Sequence, residues 1–368
     1  MIRGATGRAN VEQGSSVAGR GGQGGTRAGN RAEGGRRHDL DRARGFAILL
    51  VVFGHLMGRG RPEGMDWYEA AFVGLYSFHM PFFMYLSGYT AELSGMARAP
   101  LAAWPRLALS RAQRLLVPFV LMGLVIVFGK YFASKVMHVD AAPESLAAGL
   151  LGAFWNTADS PVIMIWYLWV LFFVSLGALP LLRVPGLSGT TRYLPPLGIG
   201  LLLFATGLPM IMYFNKLADH AVFFAVGLLV AHCGTRAMAE FDRIWPVSLC
   251  LLLVLATATV AGAIGRRDAL LACGLAAIPA LHGLVRAIDR GRLAEALLFL
   301  GRYSMAIYLF NTIAIGLAKA ALVRAGLAWT SAGATAAVPL LMLAGVLGPI
   351  LAKRLVLRRI PVLDRITD

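Results

Sequence analysis

From residue 45 onward, apolar residues run in long blocks separated by short connections rich in Arg, Gly and Pro. A helix needs about 20 mainly apolar residues to cross roughly 30 Å of hydrocarbon. Ten blocks approach or meet that length: 45–59, 70–93, 115–134, 161–182, 194–214, 219–233, 244–264, 268–287, 297–321 and 332–357. The first and sixth are short. The pattern predicts an all-α, polytopic membrane protein with about ten transmembrane helices. Residues 135–160 form the longest connection. Within it, Leu146–Trp155 is apolar but too short to span, and reads as re-entrant or interfacial. Residues 1–37 are rich in Gly, Arg and Ala without apolar periodicity, so they cannot bury enough surface to offset ordering. They read as a disordered basic tail ahead of a transmembrane domain over 38–368. The tail does not read as a signal peptide, because no apolar core follows before residue 45.

Composition sharpens this picture. The 368 residues are 58% hydrophobic and 15% charged, against about 45–50% and about 25% in soluble domains. That excludes a soluble enzyme, a disordered protein and a disulfide-stapled module. The formal net charge is +16. With ten spans, 26 of the 35 Lys and Arg fall on the side that holds both termini. The positive-inside rule makes that side the cytoplasm; the expected location is the cytoplasmic (inner) membrane of a bacterium. Membrane topology and anionic lipid thus account for the basic excess, and nucleic acid is not expected as a partner. Cys233, Cys250 and Cys273 have neither disulfide nor metal-ligand spacing, so they read as packing residues and no metal site is expected. The chain shows no fixed-period repeat, which disfavours an inverted-repeat transporter.

Polar groups inside apolar segments are costly and tend to mark function. Arg44 and His55 are eleven positions apart in the first segment. At 100° per residue that is three turns plus about 20°, so both share one helix face with the imidazole about 16 Å deeper. Asp41 lies on the same stripe, one turn before Arg44. The bland alternative is an Arg snorkelling at a helix end and a His bonded to a neighbouring helix. His79, in Ser77-Phe-His-Met-Pro81, is a second imidazole at similar depth, again open to a structural reading. Arg111 and Arg114, spaced i,i+3 before the third segment, either share a face that clamps a phosphate or serve topology alone. Trp166 and Trp169 fit an aromatic belt. Ser304, Tyr308 and Asn311 recur at i, i+4, i+7 as a polar stripe suited to a cavity or to helix–helix bonds.

Taken together, these stretches resemble the acyltransferase-3 family of integral membrane proteins. Leu40-Asp-Arg-Ala-Arg-Gly45 leading to His55 is similar to the family's basic residue, ten positions and His on the first helix. Phe78-His79-Met-Pro-Phe-Phe-Met-Tyr-Leu-Ser87-Gly-Tyr89 resembles its second-helix segment, and Arg111-Ala-Gln-Arg114 with Pro118 its Arg-x-x-Arg. Trp166 to Trp169 and Gly301 to Asn311 resemble its looser later motifs. The resemblance runs from about residue 38 to 357. The ninth-segment motif often ends in His, where this chain has Asn311, which hydrogen-bonds but cannot titrate. No carboxylate within the spans stands ready to orient His55.

The resemblance implies transfer of an acyl group, acetyl or succinyl, from cytoplasmic acyl-CoA as co-substrate to a hydroxyl of a carbohydrate or lipid-linked glycan, with no bound cofactor. Arg44, Arg111 and Arg114 would then hold the donor's phosphates. His55, reached past Arg44, would be the general base, with an acyl-His55 intermediate as the alternative. His79, Ser87, Asn311 and Trp166 would face the acceptor, and Asp41 would support the site beside Arg44. The rival reading is a transporter or flippase for a glycan, lipid or organic acid, with the two imidazoles as a proton relay.

Overall fold

The structure, a computed structural model, describes residues 38–57, 60–136 and 139–367. The tail expected over 1–37 lies outside the described residues. Among the described residues there is no strand, only an isolated bridge between Asn156 and Ile211. The helices begin with α1 (His38–His55), α2 (Asp66–Tyr76), α3 (His79–Leu93), α4 (Trp104–Arg111), α5 (Val117–Ala133) and α6 (Leu146–Phe154). The chain continues through α7 (Trp166–Leu181), α8 (Leu194–Thr206), α9 (Phe214–Cys233), α10 (Thr235–Val260) and α11 (Arg266–Ala287). It closes with α12 (Gly291–Arg302), α13 (Ser304–Arg324), α14 (Ser331–Leu355) and the short α15 (Pro361–Ile366).

Among the described residues, seven helical stretches are long and apolar enough to cross a membrane: Leu101–Ala133, Ile163–Leu181, Phe214–Cys233, Thr235–Val260, Arg266–Ala287, Ser304–Arg324 and Ser331–Arg359. Three of the ten predicted segments take another form. The first begins earlier than its apolar run, at His38, and ends at His55. The fifth is cut to thirteen helical residues by Gly207, whose φ of +69° ends α8. The second divides at Ser77 and Phe78 into α2 and α3. Pro81 is the third residue of α3, where a missing N–H removes no intrahelical bond. It therefore sits in the first turn of a new helix. The apolar stretch from Leu146 is a nine-residue helix begun by a Ser145 cap on the Ala148 N–H.

Several helices expose apolar side chains that water would not tolerate. On α10, Val247 is 73% exposed and Val254 65%. A contiguous apolar face of this kind is compatible with hydrocarbon and not with an aqueous surface. By contrast α1 and α3 are central. Ala43, Ala47, Ile48 and Val52 of α1, and Phe82, Met84, Tyr85 and Tyr89 of α3, are wholly buried.

Two crossings hold these central helices backbone to backbone. At the α3–α9 crossing, a Cβ on Gly88 would lie 2.0 Å from the Phe224 carbonyl oxygen, and one on Gly227 2.2 Å from that of Tyr85. At the α1–α12 crossing, Gly45 and Gly301 meet the Leu297 and Asp41 carbonyls at 1.9 and 1.8 Å in the same way. Small residues that let backbones touch are a main source of helix association in lipid. Gly88→Val is thus expected to cost about 3 kcal/mol, the upper end for overpacking, because backbone cannot give way as a side chain can. Thermal denaturation followed by size-exclusion chromatography checks it; an unchanged midpoint would show the crossing to be loose.

Candidate active site

The site is built on α1 and α3, which run antiparallel. At one end, Arg44 Nη2 donates to Thr90 Oγ1 at 2.8 Å, and Nη1 donates to Asp41 Oδ1 at 3.2 Å. The Thr90 hydroxyl in turn donates to the Leu86 carbonyl at 2.7 Å. Arg44 and His55 lie eleven positions apart on α1, and so do His79 and Thr90 on α3. Equal rises of about 16 Å on antiparallel helices pinned at Arg44–Thr90 bring the two imidazoles to one level. His55 and His79 accordingly line a single cavity of about 240 Å³.

The hydrogen bonds of the two rings fix their tautomers. Asn311 Nδ2 donates to the carbonyls of Ile307 and Tyr308 at 2.8 and 2.9 Å. Its Oδ1 is thereby the atom left facing His55 Nδ1, at 2.8 Å. An amide oxygen only accepts, so Nδ1 of His55 carries the proton and Nε2 of the neutral ring keeps a lone pair. His79 Nδ1 stands 2.9 Å from the Leu75 carbonyl and donates to it in the same way. That carbonyl belongs to the broken end of α2, so the α2–α3 interruption both places His79 in the cavity and orients it. Both rings present Nε2 as acceptors, the form a general base needs.

The rest of the cavity wall is aromatic and aliphatic, with one cation. Tyr76, Trp166 and Tyr308 line it, and Tyr308 is held by a 2.8 Å bond from its hydroxyl to the Met164 carbonyl. Lys216, at the start of α9, also lines it, with its ammonium 5.9 Å from the Trp166 ring centroid. The backbone carbonyl of Lys216 accepts from His220 Nδ1 at 2.8 Å, and the His220 ring lies 4.7 Å from that of Trp166. Lys216 and Thr90 were not among the residues singled out from sequence. Thr90 was detectable as the mirror of the Arg44–His55 spacing. Lys216, counted among the outer-side charges, carried no local signal.

The other sequence candidates divide. Trp166 joins the cavity. Asn311 is fully buried and its amide is occupied by His55 and two carbonyls, a setting for orienting the imidazole. Ser87 bonds the Tyr167 hydroxyl, between the Arg44 end and the cavity; the Tyr167 ring is 5.8 Å from that of Tyr308. Arg111 ends α4 and Arg114 lies within the π-helical stretch Ala112–Leu116 that follows it. The wider turn rotates them off the common face that i,i+3 spacing gives in an α-helix. Arg111 turns inward against Met96 Sδ, and Arg114 is exposed.

Fold and site thus define a polytopic helical membrane protein with a histidine-lined internal chamber. The acyltransferase-3 model, described as an acyltransferase domain, matches residues 37–354, and the chain belongs to that family of membrane acyltransferases. It is similar to the nodulation protein NolL of Sinorhizobium fredii, 32% identical over 119 residues, which are 32% of this chain and 31% of that protein. It is also similar to NolL of Mesorhizobium japonicum, 26% identical over 135 residues, 36% of this chain and 32% of the relative. The matched stretch spans about a third of each curated relative. No solved structure matches the chain.

Proposed function

We propose that the protein transfers an acyl group, acetyl or succinyl, from cytoplasmic acyl-CoA to a hydroxyl of a carbohydrate or lipid-linked glycan. In this reading it crosses the inner membrane of a bacterium ten times, with both termini in the cytoplasm. The observation that carries the reading is the matched pair of helices: a guanidinium fixed at one end, and two imidazoles with available Nε2 atoms in one chamber about 16 Å away. An acyl-CoA has the same layout, phosphates at one end and a thioester at the end of a long arm.

His55 Nε2 takes the acceptor's hydroxyl proton as that oxygen attacks the thioester carbonyl. The tetrahedral intermediate collapses, the C–S bond breaks, and the leaving thiolate receives the proton from the His55 imidazolium. The products are the ester and free CoA thiol. Lys216 is the cationic group available in the chamber to stabilise charge on the carbonyl oxygen. His79 and Trp166 hold the acceptor, and Asn311 keeps His55 in the reactive tautomer. Arg44, braced by Asp41 and Thr90, holds phosphate at the cytoplasmic rim.

The test is transfer of a radiolabelled acyl group from acyl-CoA to a carbohydrate acceptor fraction by the purified protein in lipid vesicles. Thioester-dependent ester formation is expected; movement of the acceptor across the vesicle without acylation would overturn the reading in favour of transport. In the same assay Arg44→Gln is expected to raise KM for acyl-CoA about tenfold or more, since a charge-assisted phosphate contact is lost, with kcat little changed. An unchanged KM would remove Arg44 from donor binding.

A further inference from the structure

A second cavity, of about 230 Å³, lies away from the histidine chamber and is lined by Phe299, Arg302, Tyr303, Lys353, Arg354 and Arg358. These residues come from the end of α12, the single residue between α12 and α13, the last turn of α14 and the 3-10 turn Leu357–Arg359. Arg354 Nε donates to the Tyr303 hydroxyl at 2.9 Å, and Arg358 Nη2 donates to the same oxygen at 3.4 Å. The Arg354 guanidinium also lies over the Phe299 and Tyr303 rings, at 5.2 and 5.4 Å from their centroids. Lys353 is buried, and its ammonium donates to the Thr367 carbonyl at 2.8 Å, which folds the C-terminal segment back onto α14. Among the described residues no carboxylate forms an ion pair with Arg302, Arg354 or Arg358.

We infer that this pocket binds a phosphate-bearing ligand. Three guanidiniums line one concavity without an ion-paired carboxylate among the described residues, so an anion entering it would relieve their mutual repulsion. Guanidinium presents paired donors that match phosphate oxygens bidentately. Stacking and the shared tyrosine hydroxyl hold Arg354 and Arg358 in place before binding, so less side-chain freedom is lost on capture. A water occupies about 30 Å³, so the cavity has room for a pyrophosphate. A cytoplasmic surplus of Arg for topology needs only their presence in a loop, not a cavity, a shared hydroxyl and stacked rings.

The pocket opens at the end of the bundle that carries Arg44. Gly301, one residue before Arg302, touches the Asp41 backbone, and α15 packs against the π-helical stretch that carries Arg114. A phosphate there is thus near the start of the α1–α3 path. Two sources share this chemistry: the nucleotide phosphates of the acyl donor, an assignment that rests on the function proposed above, and an anionic lipid headgroup, which basic pockets between membrane helices also hold.

The experiment uses the full chain in nanodiscs of zwitterionic lipid. Equilibrium binding of tritiated CoA is measured for the wild type, R302Q, the R354Q/R358Q pair and H55A. Retention of phosphatidylglycerol over phosphatidylcholine is measured on the same proteins by native mass spectrometry. Arg302 makes no hydrogen bond to a described residue, so R302Q reports on the pocket even if the double variant fails to fold. A tenfold or greater rise in the CoA Kd in the arginine variants, with H55A binding as wild type, establishes the site and gives it to the donor. An unchanged CoA Kd with loss of phosphatidylglycerol retention establishes the site and gives it to lipid. Both ligands binding as in the wild type overturns the inference. Acyl transfer surviving in H55A would sink the mechanism proposed above while leaving the phosphate result standing.

Discussion

His55→Ala is expected to lower acyl transfer by about 10²–10⁴-fold, the usual contribution of a positioned general base, while the protein still inserts and binds CoA. The basis is geometric. His55 lines the chamber shared with His79, and the only hydrogen bond from its ring to a described residue is made by Nδ1 to Asn311. Nε2 is therefore available to an incoming hydroxyl. Fold and insertion should survive, because α1 is anchored elsewhere, by its crossing with α12 through Gly45 and Gly301 and by Arg44 to Thr90. The measurement is turnover of labelled acyl-CoA in vesicles beside CoA binding by the same preparation. Turnover within a few-fold of wild type would remove the base from the mechanism, and so would a variant whose loss of turnover tracked loss of CoA binding.

Asn311→Leu should have the second-largest effect, a fall in kcat of about 10²-fold or more with KM for acyl-CoA nearly constant. Leucine fills the space but cannot accept from His55 Nδ1–H, so the tautomer that leaves Nε2 unprotonated loses its support. Asn311→Asp separates this from a packing defect. Its carboxylate accepts from the same nitrogen, so activity should return in part, and stabilising the imidazolium should move the acid limb of the pH–rate profile to higher pH. A leucine variant with wild-type kcat, or an aspartate variant as inactive as leucine with an unmoved profile, would show that Asn311 serves only to pack α13 on α1.

These residues also show how far sequence carries. The spacing of Arg44 and His55 was readable because an α-helix is periodic, and equal spacing on α3 was there to be read as well. What periodicity alone does not reveal is a change of helix type or of chain direction. Arg111 and Arg114 share a face by α-helical arithmetic, and a five-residue π stretch cancels that arithmetic. Apolar residues run through Ser77 and Phe78, so the hydrophobic signal hides the break that delivers His79, with Pro81 in the first turn of the new helix. The spans offer no carboxylate to orient His55, and the oxygen that does so belongs to an amide 256 positions away. Lys216 reads as a boundary charge because Asn215 and Asp219 flank it; only the approach of α9 turns it toward the chamber.

The glycine contacts at Gly88–Gly227 and Gly45–Gly301 bear on what moves during turnover. Where main chains touch, neither helix can slide or tilt against its partner without first separating from it. Arg44, Thr90, His55 and His79 all ride on helices clamped in this way, so the distance between rim and chamber is set by the scaffold. In the proposed function, passage of the acyl group over that distance falls to the swing of the donor's own flexible arm, because the crossings of α1 with α12 and of α3 with α9 leave these helices little room to rock.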